Sequence, residues 1–243
     1  MYSILRKELS LFFSSFTGYV TIAIFLFIIG WFMWISPGEL NVFDVGLANI
    51  DTLFFIAPWV FLILVPATTM RSFSEEKRLG TLELLLTRPI TDWQLTLGKY
   101  FAAVILILLS LLPCLIYFVS IYSIASPVGN VDMGAVWGSF IGLFFLASCY
   151  TAVGIFTSSL TENQLVAFTL TAAFCFVLFI GFDGLSSLPF MKTIDRQVQL
   201  LGINEHYRSI SRGVIDSRDI LYFISVAAIF LSATVLKLKA RMR

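Results

Sequence analysis

Residues 75–99 read EEKRLGTLELLLTRPITDWQLTLGK, and they form a charged, helix-forming insert between two long apolar segments. The insert carries no set of side chains suited to catalysis. In a membrane protein, one elaborate basic loop between uninterrupted apolar segments is typical of a surface on which another molecule docks. We therefore expect that the flanking segments cross a membrane and that the loop between them is a binding surface.

The composition supports a membrane location. Hydrophobic residues make up 58% of the 243 residues and charged residues only 13%, with a mean hydropathy of +0.92. A soluble domain has about 45–50% apolar and about 25% charged residues. The excess indicates a polytopic protein in contact with membrane lipid, and the formal net charge of +1 gives no reason to expect a nucleic-acid partner.

Six apolar runs approach or exceed the length of about 20 residues that crosses a bilayer core. The polar residues 158–163 predict a tight turn between the fourth and fifth runs. The first run is interpreted as a retained span, because Trp31 and Trp34 stand where a cleavage site needs small residues. The predicted fold is an all-α polytopic membrane protein with one transmembrane domain over residues 1–243. The six runs are residues 19–35, 52–70, 100–122, 133–158, 164–181 and 220–236.

Basic residues concentrate in alternate loops, which orients the chain in the membrane. Lys and Arg are frequent before the first run, in the 71–99 loop and after the last run, whereas residues 36–51 and 123–132 contain none. This pattern places both termini and the 71–99 loop in the cytoplasm. Residues 182–219 carry five basic and five acidic residues and conflict with the pattern, but six spans make them an external loop.

The N-terminal residues 1–17 are predicted to form an interfacial helix. Their large apolar side chains recur at helical spacing on one face. An amphipathic helix of this kind lies in the plane of the membrane interface, and Gly18 permits the turn into the first span. The residues of the predicted apolar face are Leu5, Leu9, Phe12, Phe13 and Phe16.

The middle of each predicted span lacks Asp, Glu, Lys, Arg and His. Ion-coupled carriers, intramembrane proteases and lipid-modifying enzymes depend on such residues, so these classes are disfavoured. The thiols Cys114, Cys149 and Cys175 match no metal or disulfide spacing, and His206 is interpreted as a loop or surface residue. The chain also lacks a glycine-rich phosphate-binding motif, so we expect no catalytic residue, metal or cofactor in it.

Two features predict the shape of the third and fourth spans. Pro113 predicts a kink in the third span, and the sequence leaves open whether the kink is structural or functional. Small residues in the fourth span predict close packing against another helix, either of this chain or of a second one. These small residues are Gly138, Gly142, Ala147 and Gly154.

The 71–99 loop is predicted to contain three short helices. The middle of the loop has two interpretations, an interfacial helix with solvated charges or a docking helix that transmits motion from a soluble subunit to the second and third spans. The spacing alone leaves both open. The predicted helices are 73–79, begun by a Ser72–Glu75 capping box and ended by Gly80; 82–87, capped by Thr81; and one that begins at a Thr91–Gln94 capping box and enters the third span.

Several motifs together resemble the ABC-2 family of permeases of ATP-binding-cassette transporters. The resemblance covers nearly the whole chain. The branch it resembles most is the gliding-motility-associated (Gld-type) permease subunit, with the nitrous-oxide-reductase maturation permease near it. The motifs are EEKR-x-GTLELLLT at 75–87, then Pro89-Ile90, Gln94 and Gly98-Lys99; Lys7-Glu8, Phe12-Phe13-Ser-Ser and Gly18-Tyr19; SSLTENQ at 158–164; and SRGVIDSRD at 211–219.

This resemblance implies that the chain is half of an exporter. Two such halves, alike or different, pair around a translocation path. Cytoplasmic ATPase subunits bind ATP and Mg²⁺ and receive the short loop helix in a groove, so hydrolysis belongs to the partner. Residues 200–219 resemble an external re-entrant or interfacial helix that gates the exit or binds an external or periplasmic subunit. The implied ATPase-coupling residues are Glu75, Glu76, Lys77, Arg78, Thr81 and Glu83 as contacts, with Gly80 and Pro89 shaping the loop.

Two other functions compete with the permease. One is a membrane anchor or scaffold of a secretion or motility machine that moves no solute, and substrate-stimulated ATP turnover would argue against it. The other is a membrane enzyme acting on lipid, which the uncharged spans disfavour.

Overall fold

The chain folds as a bundle of helices. A computed structural model describes residues 1–86, 90–187 and 194–241, except for the side chains of residues 17, 84–86 and 241. The first and fifth spans each contain a π-helical turn, at Trp31–Ile35 and Val177–Gly181. In chain order the α-helices are α1 (Tyr2–Ser14), α2 (Phe16–Gly30), α3 (Val42–Val45), α4 (Asp51–Thr69), α5 (Arg71–Arg78), α6 (Thr81–Leu86), α7 (Asp92–Leu111), α8 (Cys114–Ile124), α9 (Met133–Leu160), α10 (Gln164–Phe176), α11 (Phe182–Ser186), α12 (Asp195–Gln199), α13 (Ile203–Ser211) and α14 (Ser217–Arg241).

Among the described residues, six helical segments are long and apolar enough to cross a membrane, which confirms the predicted all-α polytopic fold. The third span begins at Asp92 rather than near residue 100, because the predicted capping box of Thr91 and Gln94 starts the helix there. The predicted turn between the fourth and fifth spans is also present, since Asn163 caps α10 by accepting a bond from the Leu165 N–H. The spans are formed by α2, by α4 with α5, by α7 with α8, by α9, by α10 with α11, and by α14.

The third span is interrupted at Pro113, as its sequence predicts. Helix α7 ends at Leu111 and α8 begins at Cys114. Proline has no N–H, and its ring crowds the carbonyl four residues earlier, which favours a break at this position, although α4 continues through Pro58 and Pro66. The span therefore consists of two helical sections.

Helices α4 and α9 form the centre of the bundle. In each of these two spans, 72% of the most apolar stretch is buried inside the bundle, against at most 44% in the other spans. Gly154 of α9 lies directly against Thr69 at the end of α4, where there is no room for a Cβ atom. The prediction that small residues of the fourth span pack closely against another helix is confirmed, and that helix belongs to the same chain.

Helix α13, within residues 200–219, packs against the start of α9 and the first turn of α4. Helix α13 buries Tyr207, whose hydroxyl donates to the carbonyl oxygen of Phe54 at 2.8 Å. A Cβ atom at Gly138 would lie 2.5 Å from the Ile210 carbonyl oxygen, and one at Gly142 would lie 3.1 Å from the Tyr207 ring. The two glycines thus make the space that α13 occupies at the start of α9.

The two ends of the bundle are distinguished by the short helices that pack there. Helix α13 packs near Met133, the first residue of α9, whereas α5 packs near Leu160, its last residue. We call these the α13 end and the loop end. The segment between α2 and α4 lies at the α13 end, and α1 lies at the loop end.

His206 is buried, so its interpretation as a loop or surface residue is wrong. Its Nδ1 lies 2.7 Å from Oδ1 of Asp219, and its Nε2 lies 2.9 Å from the Leu200 carbonyl oxygen. Both neighbours are acceptors, and each ring nitrogen donates to its neighbour when it carries a proton. The ring also stacks on Tyr222 at a centroid distance of 3.9 Å. His206 thereby connects α13 to the start of α14. The isolated position of this histidine in the sequence gives no sign of the contact.

Replacing His206 with phenylalanine is expected to loosen α13. The substitution keeps an aromatic ring against Tyr222 but removes both donors from buried acceptors, at a cost of about 1–3 kcal/mol. The measurement is the thermal midpoint in detergent, together with the rate of tryptic cleavage at Arg208 and Arg212. Val214→Ala, at a side chain that is 70% exposed, is the control and should change neither quantity. Equal behaviour of the two variants would contradict a structural role for the His206 bonds.

The N-terminal helix differs from its prediction in two respects. The chain turns at Ser15, which is extended with φ −100° and ψ 153°, and α2 begins at Phe16 rather than after Gly18. The buried positions of α1 are Ile4 and Glu8, not the predicted apolar face, and Phe16 of that face lies in α2 and is 82% exposed. The side of α1 that contacts α7 carries a charge whose partner is elsewhere in the chain.

Candidate partner-docking site between the second and third spans

The candidate site begins as an extension of the second span. A single residue, Met70, separates α4 from α5, and the two together form a helical segment from Asp51 to Arg78. At 1.5 Å per residue its 28 residues measure about 42 Å, which exceeds a bilayer core of about 30 Å. The predicted Ser72–Glu75 capping box is wrong, because Ser72 lies inside this helix and Met70 occupies the N-cap position without a side-chain bond.

The helix ends where the sequence predicts. Gly80 has φ +68°, in the left-handed region that glycine adopts without strain, and its N–H bonds to the Lys77 carbonyl oxygen at 3.1 Å. Helix α6 then begins at Thr81, one residue before the predicted start, and the Thr81 hydroxyl donates to the Glu76 carbonyl oxygen at 3.3 Å. Pro89 and the predicted helix end at residue 87 lie outside the described residues.

Helix α5 is fixed to the end of the fourth span. The backbone N–H of Phe73 donates to the Ser158 hydroxyl at 2.8 Å, and the ammonium of Lys77 donates to the Ser159 carbonyl oxygen. The Phe73 side chain is completely buried. The second span and the turn between the fourth and fifth spans are thus joined at the base of the loop.

Lys99 joins the loop to two further elements. Its side chain is only 2% exposed, and its Nζ lies 2.8 Å from Oε1 of Glu8 and 2.9 Å from Oε1 of Glu76. The Ser72 carbonyl oxygen accepts a hydrogen bond from the same ammonium at 2.7 Å. One buried cation therefore connects α1, α5 and α7.

The cluster around Lys99 is close to electrically neutral. Lys7, with a half-exposed side chain, adds a second cation at 3.3 Å from Oε1 of Glu76. The four charges are two ammonium groups and two carboxylates. A buried ion pair stabilises a fold only when its geometry and remaining hydrogen bonds are good. Lys99 contacts both carboxylates closely, whereas Oε2 of Glu76 is buried without a hydrogen-bond partner among the described residues. Helix α1 approaches closely because Gly98 leaves room for Ile4, which a Cβ atom would meet at 2.9 Å.

The predicted coupling residues do not all face the same way. Arg78, Gly80, Thr81 and Glu83 are exposed at the corner between α5 and α6. Glu75 is half-buried and lines a groove of about 370 Å³ between α1 and α5. Glu76 and Lys77 point into the bundle, where they bind Lys99 and Ser159. Leu79, which was not predicted, is 62% exposed on the outward corner.

Four residues that hold the site were not among the predicted ones: Glu8, Lys99, Ser158 and Ser159. The signal for the charged pair was present, since Glu8 and Lys99 are charges beside apolar runs and a charge near a membrane core requires a partner. The two serines gave no comparable signal. Serine is common in turns, and its role here depends on which helix lies beside it.

The sequence matches a known family over most of its length. A family model described as ABC-2 family transporter protein matches residues 36–201, which is well over half of the chain. The matched region contains the second to fifth spans and the loop between the second and third, but not α1 with Lys7 and Glu8. No curated protein sequence matches the chain.

Proposed function

Because the chain belongs to the ABC-2 family of transporter proteins, we propose that it is the permease subunit of an ABC transporter driven by a separate ATPase. The observation that carries the proposal is the corner between α5 and α6. Its base is held by Lys99 and by the Ser158–Ser159 turn, while Arg78, Thr81 and Glu83 point outward. Because the base of this corner is held against the bundle, a force applied to its exposed residues is transmitted to the spans.

The partner is a cytoplasmic ATPase that binds ATP and Mg²⁺ itself. Arg78, Thr81 and Glu83 contact it directly, with Leu79 as an apolar centre between them. Glu76 and Lys77 act from the other side by holding α5 against the bundle. Gly80 gives the corner its turn, and Glu75 lies at the edge of the contact beside α1. We expect Pro89 to shape the return of the chain into the third span.

The remaining features of the proposal concern the assembly. A second permease half covers part of the outer helices, since α2, α10 and α14 are the least buried spans. The loop end faces the cytoplasm of a bacterial cell, as the Lys and Arg distribution indicates, with both termini on that side. The complex exports its substrate or does work across the inner membrane in a gliding-motility-type machine. The loop of residues 182–219 is the proposed contact for an external subunit.

The proposal is tested by reversing two charges on the exposed corner. The double variant Arg78→Glu with Glu83→Lys is expected to reduce the amount of co-purifying ATPase at least about tenfold, because like charges brought together at an interface cost several kcal/mol. The measurement is affinity purification of the tagged chain in mild detergent, with the co-eluting proteins identified and quantified by mass spectrometry.

Glu39→Lys is the matched control, since Glu39 is an exposed acid at the α13 end and should leave the complex intact. Gly80→Pro is a poor probe, because proline cannot adopt φ +68° and would disturb the fold as well as the contact. A chain that elutes alone, or a charge-reversed corner that keeps its ATPase, would contradict the proposed docking site.

A further inference from the structure

A cleft of about 620 Å³ opens between α4, the end of the fifth span and α13. This volume lies within the range of about 300–1,000 Å³ that small-molecule sites occupy. The inner part is apolar and aromatic, with Phe55 and Trp59 from α4 and Phe179 from the π-helical turn. Phe55 is 62% and Trp59 is 44% exposed, so these rings present free apolar surface to an occupant.

The outer part of the cleft carries charges from α13 and from the residue that follows it. Glu205 and Arg208 are three residues apart on one face of α13, and Arg212 stands at its C-terminal end. All three line the cleft. Neither guanidinium has an ion-pair partner among the residues that the structure describes. Two arginines one turn apart form a good site for a phosphate, because each guanidinium offers paired donors in a planar fork.

Two carboxylates balance the two arginines. Besides Glu205, the cleft is lined by Asp183, whose Oδ2 accepts a bond from the amide of Asn204 at 2.6 Å. The rim therefore has no net charge, but it has separate sites for an anion and a cation. The Tyr207 hydroxyl in the wall is already committed to the Phe54 carbonyl oxygen, so it is not a free donor to an occupant.

The order of these groups along the bundle matches the order of groups in a lipid. Phe54 is in the first turn of α4 at the α13 end, and Trp59 lies about 8 Å further into the bundle at 1.5 Å per residue. The charged rim is therefore at the level of the head groups, and the aromatic rings extend towards the hydrocarbon. A Trp in this position is typical of the boundary between the two regions.

We propose that this cleft binds one zwitterionic phospholipid from the leaflet at the α13 end. Its phosphate lies between Arg208 and Arg212, its ammonium faces Glu205 and Asp183, and the first part of one acyl chain runs along Phe55, Trp59 and Phe179. The inference does not rest on transport or on the ATPase, since lipid binding is a property of the membrane-embedded chain itself.

The test measures lipid retained by the purified full-length chain. The protein is exchanged into detergent and supplied with phosphatidylethanolamine, phosphatidylglycerol or diacylglycerol, and bound lipid is counted by native mass spectrometry. We expect one phosphatidylethanolamine per chain, with at least about tenfold lower retention in Arg208→Gln/Arg212→Gln, because charge-assisted bonds are lost. The matched control is Arg196→Gln/Arg218→Gln, which removes two exposed arginines of the same region that do not line the cleft.

Each comparison has an outcome that overturns the inference. Equal retention of diacylglycerol would exclude recognition of the head group, and equal retention of phosphatidylglycerol would exclude the preference for a zwitterion. Competition by soluble phosphoethanolamine at the same concentration as the lipid would show a phosphate pocket rather than a lipid site. An equal loss in the control double variant would assign the effect to overall charge. Unchanged thermal midpoints establish that the exposed arginines were replaced without unfolding.

Discussion

Replacing Lys99 with leucine is expected to destabilise the chain by about 3–5 kcal/mol, the usual effect of removing one partner from a buried ion pair. The substitution leaves the carboxylates of Glu8 and Glu76 close together without the cation that both contact. The Ser72 carbonyl oxygen also loses its donor. Because Glu8 belongs to α1 whereas Ser72 and Glu76 belong to α5, α1 should separate from α5 and α7 before the spans themselves unfold.

The thermal midpoint in detergent and protease access to residues 1–17 measure this effect. Lys7→Leu is the matched control in the same cluster. Its side chain is 50% exposed and it contacts only Glu76, so the expected cost is at most about 1 kcal/mol. A triple variant, Glu8→Gln with Glu76→Gln and Lys99→Met, should recover much of the loss, because a buried ion cluster can be replaced by groups that carry no charge. If Lys99→Leu were no worse than Lys7→Leu, the buried cluster would not hold the loop end together.

Replacing Gly154 with leucine is expected to cost about 3 kcal/mol or more. A Cβ atom at this position would lie 2.7 Å from Cβ of Thr69, and still closer to the Thr69 hydroxyl. Overpacking of a well-packed site costs about 1–3 kcal/mol and occasionally more. Helices α4 and α9 have no room to move apart, since each is also the most buried span of the bundle.

This second prediction is measured by the yield of monodisperse protein in detergent and by its thermal midpoint. Gly184→Leu is the control, because a Cβ atom at Gly184 would meet no atom within 4 Å. A folded Gly154→Leu variant with the midpoint of the unchanged protein would show that the contact between α4 and α9 is looser than the structure indicates.

The features that the sequence predicts correctly are those with local causes. A membrane span is recognised by length and composition, because every backbone group in the hydrocarbon must be paired within the segment. The turn at Gly80 and the cap at Thr91 are likewise properties of a few neighbouring residues. The break at Pro113 follows from the ring of one residue. None of these depends on what lies across the bundle.

The features that were missed depend on residues far apart in the chain. Lys99 contacts Glu8, which is 91 residues away, and Phe73 contacts Ser158, which is 85 residues away. Local periodicity cannot pair such residues, and for this reason Glu76 and Lys77 looked like part of the exposed surface. Residues 200–219 have a polar composition that suggests an outer loop, and only Gly138 and Gly142 on the opposite helix reveal where α13 fits.

The Lys99 cluster also sets an order of events during synthesis. Glu8 leaves the ribosome 91 residues before Lys99. At about 5–20 residues per second, the N-terminal segment waits on the order of 5–20 s for the ammonium that receives it. Helix α1 therefore takes its final position only after the start of the third span has emerged, so the first element made is not the first to be completed.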